Sequence, residues 1–464
     1  MSHQPPLHGF RTFLIVWVTQ SISVFGSALT LFTVNIWLAK VLYPGPEQKP
    51  ELAFALAAIN LAFALPEVFL APLAGAWADR HDRKLTMITM DLLNGCLGFV
   101  LTVLLMTHTL QLWILLTLTA LFSTFSTFHF AAFDSSYAMI VPENLLPRAN
   151  GMMQTMWSLS GVLSPAIAAM IISMPALARQ GLVPGAMGAA LGRLADGTPL
   201  AIAIDAITFF VAGVTLLFLS IPSPKRAELG AAGRRLKKSI WADIKEGAMY
   251  IWHRRPLLWL LGTFAAANLL SSPMGVLQPL LVKFNLAGDW SARGLTFETA
   301  LALLSTVGSI GGVVGGFFIS AWGGLKTRRV YGVVVALIIA GMAQIVFGLS
   351  TALYLAAAMA FILDAMLPIM NAHSQTIWQT QTPHELQGRV FSVRRLIAQF
   401  TWPFSATLAG WAGGVFNPGM VIAVLGALLV FFCVGQLFNP YLRGVEDKAW
   451  LDEMAKQTAK YTSK

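Results

Sequence analysis

Charged residues are scarce in this chain of 464 residues. Asp, Glu, Lys and Arg together make up 11% of the sequence, and hydrophobic residues make up 56%. A soluble domain carries about 25% charged residues, so this composition places most of the surface against lipid. The net charge of +10 does not indicate a nucleic-acid partner, because the positive charges divide by membrane side.

Several chemical motifs are also absent. The two cysteines, Cys96 and Cys433, lie in apolar runs and suggest neither a disulfide framework nor a metal site. There is no Asn-x-Ser/Thr acceptor and no GxxxxGK[ST] loop, since the dipeptide Gly-Lys never occurs. No nucleophile–base set appears near the apolar segments. We therefore expect no enzyme activity and no cofactor. An ion gradient or a partner must supply energy, or the protein only facilitates diffusion.

Twelve apolar segments are long enough to cross a bilayer, which takes about 20 residues. Membrane segments must satisfy their own backbone, so we expect an all-α membrane protein with twelve transmembrane helices. The first segment is too long for a signal peptide and is predicted to remain uncleaved. The predicted spans 1 to 12 cover residues 12–39, 52–76, 86–107, 110–138, 149–175, 199–220, 256–284, 297–322, 330–349, 352–378, 391–414 and 419–438.

The basic residues predict the orientation of these spans. With the N-terminus in the cytoplasm, cytoplasmic segments hold 25 of the 31 Lys and Arg residues. Cytoplasmic loops carry such an excess, so both termini are expected inside. The six basic residues on the other side are Lys40, Lys49, Arg179, Arg193, Lys283 and Arg293.

Two halves of the chain repeat one pattern. The motif P-x-x-L-x-x-R occurs at residues 142–148 and 383–389, an offset of 241 residues. We predict an N-terminal six-helix bundle, a basic cytoplasmic linker, a C-terminal six-helix bundle and a cytoplasmic tail. Their ranges are residues 1–221, 222–255, 256–441 and 442–464.

The linker has two interpretations. Leu236, Ile240 and Ile244 recur every four residues, as in an amphipathic helix on the anionic inner leaflet. The alternative is a solvated connection whose charge only follows membrane topology.

The stretch Pro66–Lys84 reads PEVFLAPLAGAWADRHDRK and contains the pattern G-x-x-x-D-R-x-x-R-K. It resembles the loop between the second and third helices of the major facilitator superfamily. The stretches IVPENLLPRANGMMQ, EGAMYIWHRRP and ELQGRVFS are similar to the macrolide-efflux and enterobactin-exporter branch. The resemblance implies two six-helix pseudo-repeats and drug:proton antiport. Span 4 contains no arginine, unlike many proton antiporters of this superfamily, although it contains His129.

The resemblance also implies a cytoplasmic latch. The acid of the loop, Asp79 here, docks against the N-terminus of span 11, where the helix dipole favours negative charge. Arg80 and Arg83 pair with an acid at the inner end of span 4, for which Asp134 is placed. The alternative is a loop that only determines topology. The predicted latch residues are Gly75, Asp79, Arg80, Arg83, Lys84 and Asp134.

Ionisable residues within the spans are the candidates for proton coupling, because they are costly in lipid and usually functional. Glu67 lies nearest the middle of span 2, beside Pro66. Burial disfavours the charged form of a carboxyl, so Glu67 in a partly wetted cavity could take up a proton from one side and release it to the other. The alternative is a neutral Glu67 hydrogen-bonded to a neighbouring helix.

Four further residues are candidates of the same kind: Asp364 in span 10, Asp205 in span 6, Asp91 in span 3 and His129 in span 4. Asp364 is the counterpart of Glu67 in the other half. Each has a structural alternative: a hydrogen bond within its helix or to span 11 for Asp364, a structural role for Asp205 at a depth that water can reach, a structural or gating role for Asp91, and packing for His129.

The resemblance places a substrate cavity among spans 1, 4, 7 and 10. The candidates for its lining are Asn35, Trp37, Asn268, Gln278 and Asn371. Aromatic residues in membrane helices more often face lipid or pack against neighbours.

The sequence thus predicts a transporter of the bacterial inner membrane, acting as a monomer on a small hydrophobic or amphiphilic substrate, with protons and membrane lipids as its other partners. A lysophospholipid flippase of the same fold is one alternative. A membrane sensor or scaffold that has lost transport is another.

Overall fold

The computed structural model describes residues 9–78, 80–142, 145–221 and 240–462, and no strand occurs among them. Eleven helices in this part of the chain are long and apolar enough to cross a membrane. The helix His384–Val415 contains 32 residues and includes predicted span 11, but it is less apolar because polar residues such as Gln399, Thr401 and Ser405 interrupt it. The all-helical fold is confirmed.

We number the twelve long helices α1 to α12, in the order of the predicted spans. They are Gly9–Trp37 (α1), Lys49–Ala78 (α2), Arg83–Met106 (α3), Leu112–Ile140 (α4), Leu146–Arg179 (α5), Thr198–Leu217 (α6), Arg255–Ser271 (α7), Phe297–Trp322 (α8), Arg329–Leu349 (α9), Leu353–Gln381 (α10), His384–Val415 (α11) and Pro418–Leu437 (α12).

Shorter helical segments connect or extend these helices. Span 7 continues beyond α7 as Met274–Leu280 and a π-helical turn, Leu281–Asn285. A second π-helical turn, Leu38–Leu42, extends α1. The remaining short helices are Pro46–Gln48, Gly185–Gly192, Ile240–Trp252, Ala287–Ala292, Pro440–Arg443 and Lys448–Thr462.

The prolines within α2 and α5 do not end these helices. α5 runs through Pro165 and Pro175 to Arg179, although the sequence predicted its end at residue 175. Membrane helices tolerate proline because neighbouring helices and hydroxyl side chains satisfy the freed backbone groups. α2 likewise continues through Pro66 and Pro72.

The structure divides into two compact units. The first comprises Met1–Ala231 with Gly294–Thr306, and the second comprises Ala232–Arg293 with Val307–Lys464. The division therefore falls inside α8.

Within the first unit, the beginning of α8 is held by side chains. Lys40 donates to the carboxylate of Glu298, which is only 5% exposed. The hydroxyl of Thr306 donates to the carbonyl of Val162 in α5 at 3.3 Å. These two contacts explain why residues 294–306 belong with the N-terminal helices.

Small residues bring helices of the second unit together. Gly348 in α9 and Gly419 in α12 each lie against the other's backbone carbonyl, so a side chain at either position would separate the helices. Packing of this kind drives helix association in lipid, where apolar burial gives no advantage. It fixes α9 and α12 as neighbours.

Candidate functional site

The charged loop after α2 is tied to its own unit by arginine and lysine. Arg83 donates to the carbonyl of Ala78 at 3.0 Å and to that of Ser135, in α4, at 3.0 Å. Lys84 donates to the carbonyl of Leu217, the last residue of α6, at 2.9 Å. The loop therefore holds the ends of α2, α4 and α6 together.

Other parts of the predicted latch are less defined. Asp79 lies outside the described residues, so its docking on α11 stays a prediction, as does the pairing with Asp134. Asp134 is exposed and follows Phe133 on α4, one residue before the carbonyl that Arg83 contacts. Arg80 is exposed, and a side chain at Gly75 would meet no atom within 4 Å.

Glu67 lies half-buried in α2. Among the described side chains its carboxyl has neither a hydrogen-bond nor an ion-pair partner. The sequence left open a neutral Glu67 bonded to a neighbouring helix, and the described structure contains no such bond. A carboxyl without a fixed partner can change its protonation state without breaking a structural contact.

Asp364 has a similar environment in the second unit. It is half-buried in α10, and the described residues offer its carboxyl no hydrogen-bond partner. Its side chain lies against Gly308 of α8, where an added Cβ would be 2.6 Å from Oδ2 of Asp364. The absence of a side chain at Gly308 thus creates the space that Asp364 occupies.

We expect Gly308→Ala to displace this carboxyl. The clash is with the end of a side chain, which can rotate away, so the variant should fold but slow several-fold the transport that the sequence predicts. Gly316→Ala on the same helix is the matched control, because the nearest atom to its Cβ is 3.9 Å away. Rates of that transport, measured in membrane vesicles, compare the two. Equal rates in both variants would show that the position of Asp364 does not matter.

Asp205 has a fixed partner instead. It is 2% exposed in α6 and accepts a hydrogen bond from the hydroxyl of Thr30, in α1, at 2.6 Å. The close approach depends on Gly26, whose Cβ would lie 2.6 Å from Oδ1 of Asp205. This contact ties α1 to α6, which fits the structural alternative for Asp205.

Asp91 and His129 lie together in the first unit. Oδ1 of Asp91 and Nε2 of His129 are 3.2 Å apart, and the two side chains are 1% and 5% exposed. The side chain of Gln20 donates to Oδ2 of Asp91, also at 3.2 Å. We call Gln20, Asp91 and His129 the buried polar cluster; it connects α1, α3 and α4.

The cavity candidates do not share one environment. Trp37 is 7% exposed and borders a cavity of about 160 Å³ in the first unit, together with His108 and Arg193. Asn35 is half-buried and its Oδ1 lacks a hydrogen-bond partner among the described residues. Asn371 is exposed. Asn268 and Gln278 are both half-buried. The role of these residues as a substrate lining stays a prediction.

Sequence reasoning missed the neutral partners of the acids. Gln20 and Thr30 fix Asp91 and Asp205, while Gly26 and Gly308 make room for Asp205 and Asp364. A glutamine within an apolar run was the available signal for Gln20. Within the described part of the chain, no group of His, Cys, Asp or Glu could hold a metal ion.

Long apolar helices that contain ionisable residues are typical of a multi-pass membrane transporter. A model of the Major Facilitator Superfamily matches residues 16–406, and this chain belongs to that family. It is accordingly a transporter and not an enzyme.

Known relatives support the assignment. Macrolide efflux protein A of Streptococcus pyogenes is 23% identical over 86% of this chain and 88% of its own length. The protein of the same name from Enterococcus faecalis is 24% identical over 74% of this chain and 97% of its own. Among solved structures, the POT family transporter PepTSo has a TM-score of 0.65 at 14% identity, covering 94% of this chain and 99% of its own.

Proposed function

We propose that this protein exports hydrophobic or amphiphilic small molecules, drug- or siderophore-like, from the bacterial cytoplasm in exchange for protons. The observation that carries the proposal is the unpartnered, half-buried carboxyl of Glu67 among the described side chains of α2. The similarity to macrolide efflux proteins supports export as the direction.

Glu67 would bind the exchanged proton. Because burial disfavours a charged carboxyl, proton uptake stabilises Glu67 when water is excluded, and proton loss follows when water returns. Asp364 is the second site, since it also lacks a fixed partner among the described residues. Asp205 and the buried polar cluster hold helices together and are assigned a structural role.

The transport cycle begins with substrate entering from the cytoplasm or the inner leaflet. The latch of Asp79 forms as the protein changes conformation, and protonation of Glu67, Asp364 or both from outside promotes substrate release. Such a change requires that substrate or proton bind the two conformations with different affinity.

One observation favours lipid flipping as a second candidate. A groove of about 590 Å³ in the second unit has apolar walls that include Leu258, Trp259 and Ile397, and Arg255 and Tyr441 also line it. An apolar surface beside a cation suits a lipid with an anionic headgroup.

Reconstituted protein separates the two functions. Labelled macrolide and labelled lysophospholipid are presented in parallel, with and without an uncoupler. We expect uphill macrolide movement that the uncoupler abolishes and no movement of lysophospholipid. Uncoupler-insensitive lipid movement without drug transport would replace export by flipping.

A further inference from the structure

Two sequence stretches of the second unit pack against each other. EGAMYIWHRRP contributes most of the helix Ile240–Trp252, and ELQGRVFS forms the first turns of α11. Oε2 of Glu246 accepts a hydrogen bond from Nη1 of Arg389 at 2.6 Å. This pair is partly exposed, with side chains 51% and 32% accessible, so it contributes orientation more than stability.

Gly247 gives the contact its fixed geometry. A Cβ at this position would lie 2.6 Å from the carbonyl oxygen and 2.8 Å from the carbonyl carbon of Arg389. Unlike a side chain, this backbone within a helix cannot rotate away. Only glycine allows the helix to approach α11 so closely.

Tyr250 connects the helix Ile240–Trp252 to α10. It is 8% exposed, and its hydroxyl donates to the carbonyl of Gln381, the last residue of α10, at 2.7 Å. Burial raises the pKa of Tyr250, which keeps the hydroxyl protonated as a donor. Ile251 beside it is 2% exposed and lies in the core of the second unit.

The C-terminal segment completes the contact. The guanidinium of Arg254 lies 3.8 Å from the centroid of the Tyr250 ring and donates to Asp452 at 2.9 Å. Asp452 belongs to the helix Lys448–Thr462. The side chain of Gln381 donates to the carbonyl of Glu446 at 3.0 Å. The helix Ile240–Trp252 is thus bonded to α10 and α11, while Arg254, two residues after it, and Gln381 of α10 are bonded to the C-terminal segment.

We infer that the helix Ile240–Trp252 is a permanent anchor of the linker on the second unit, and that Glu246, Gly247 and Tyr250 are positioning residues for the corner between α10 and α11. The anchor faces protein through Tyr250 and Ile251, whereas the sequence left a helix on the inner leaflet and a solvated connection equally open. Leu236, on which the first interpretation partly rests, lies outside the described residues. Residues 222–239 follow α6 in the sequence, so the linker joins the second unit at this corner before α7 begins.

Gly247→Val tests the positioning role. We expect faster proteolysis between residues 222 and 252 and a several-fold lower maximal export rate, with an unchanged substrate concentration for half-maximal rate. Gly435→Val in α12 is the control, since no atom lies within 4 Å of its Cβ. Wild-type proteolysis and export in Gly247→Val would overturn the inference, as would the same defects in Gly435→Val.

Exchanging the charges of Glu246 and Arg389 distinguishes a specific contact between them from a general loss of protein stability. Glu246→Arg and Arg389→Glu should each reduce export, and the double variant should restore it. Failure of the double variant to exceed the single variants would contradict a specific Glu246–Arg389 contact.

Reversible cross-linking tests whether the helix Ile240–Trp252 stays docked on α11 during transport. Glu246→Cys and Arg389→Cys are introduced into a Cys96→Ser, Cys433→Ser background and joined with a bis-methanethiosulfonate reagent. We expect the cross-linked protein to export at least as fast as the reduced protein. Export that stops on cross-linking and returns with dithiothreitol would show that the helix must detach, and absence of cross-linking would show that it is not docked.

The inference rests on the proposed export only for its rate measurements. If the wild type proves not to exchange substrate for protons, proteolysis of Gly247→Val against Gly435→Val and the yield of cross-linking still decide whether the anchor exists.

Discussion

Replacement of Glu67 by glutamine is expected to abolish uphill export while leaving folded protein in the membrane. Glutamine keeps the size and polarity of the side chain but cannot exchange a proton. Because the carboxyl has no partner among the described side chains, the substitution removes no structural contact, so the expected loss is one of coupling and not of folding. Energised vesicles loaded with a macrolide measure the effect, and size-exclusion chromatography reports on folding.

The control for this variant lies on the same helix. Glu51 is exposed in the first turn of α2, so Glu51→Gln makes the same chemical change outside the apolar part and should export at the wild-type rate. Uphill export by Glu67→Gln at the wild-type rate would remove Glu67 from the mechanism.

Replacement of Asp91 by leucine is expected to cause the largest loss of stability. The side chains of Gln20 and His129 would remain buried without the carboxylate that contacts them. A buried polar group left without its hydrogen-bond partner costs about 1–3 kcal/mol, so we expect a clear decrease in the free energy of unfolding. Thermal denaturation in detergent, followed by size-exclusion chromatography, measures it.

Two related variants are compared with Asp91→Leu. Asp91→Asn retains an acceptor oxygen for Gln20 and should lose less stability than Asp91→Leu. Gln20→Leu added to Asp91→Leu should recover part of the loss, because apolar replacement of a whole buried polar group is often neutral. A melting temperature of Asp91→Leu equal to that of the wild type would contradict the role of the buried polar cluster.

The sequence predicts the helices well because lipid imposes one simple requirement on each of them. Segments of sufficient length and hydropathy become helices whatever their neighbours are. One exception is the beginning of α11, at His384 instead of the predicted residue 391. Its first turns carry charge and pack on the helix Ile240–Trp252, a contact that hydropathy does not encode.

The candidate site was predictable only in part. Ionisable residues within apolar segments can be read directly, as for Glu67 and Asp364. Whether each acid has a partner depends on which helices adjoin, and residues 175 positions apart, such as Thr30 and Asp205, meet only through packing. The structure therefore separates acids of similar sequence context into unpartnered and structurally bonded groups.

Proton flux during substrate movement tests the central claim most directly. Purified protein is reconstituted into liposomes that contain a pH-sensitive dye, and a macrolide gradient is imposed without a proton gradient. We expect proton movement opposite to the substrate, present in Glu51→Gln and absent in Glu67→Gln. Substrate movement without any change in dye signal would contradict proton antiport and would leave facilitated diffusion or lipid flipping as the function.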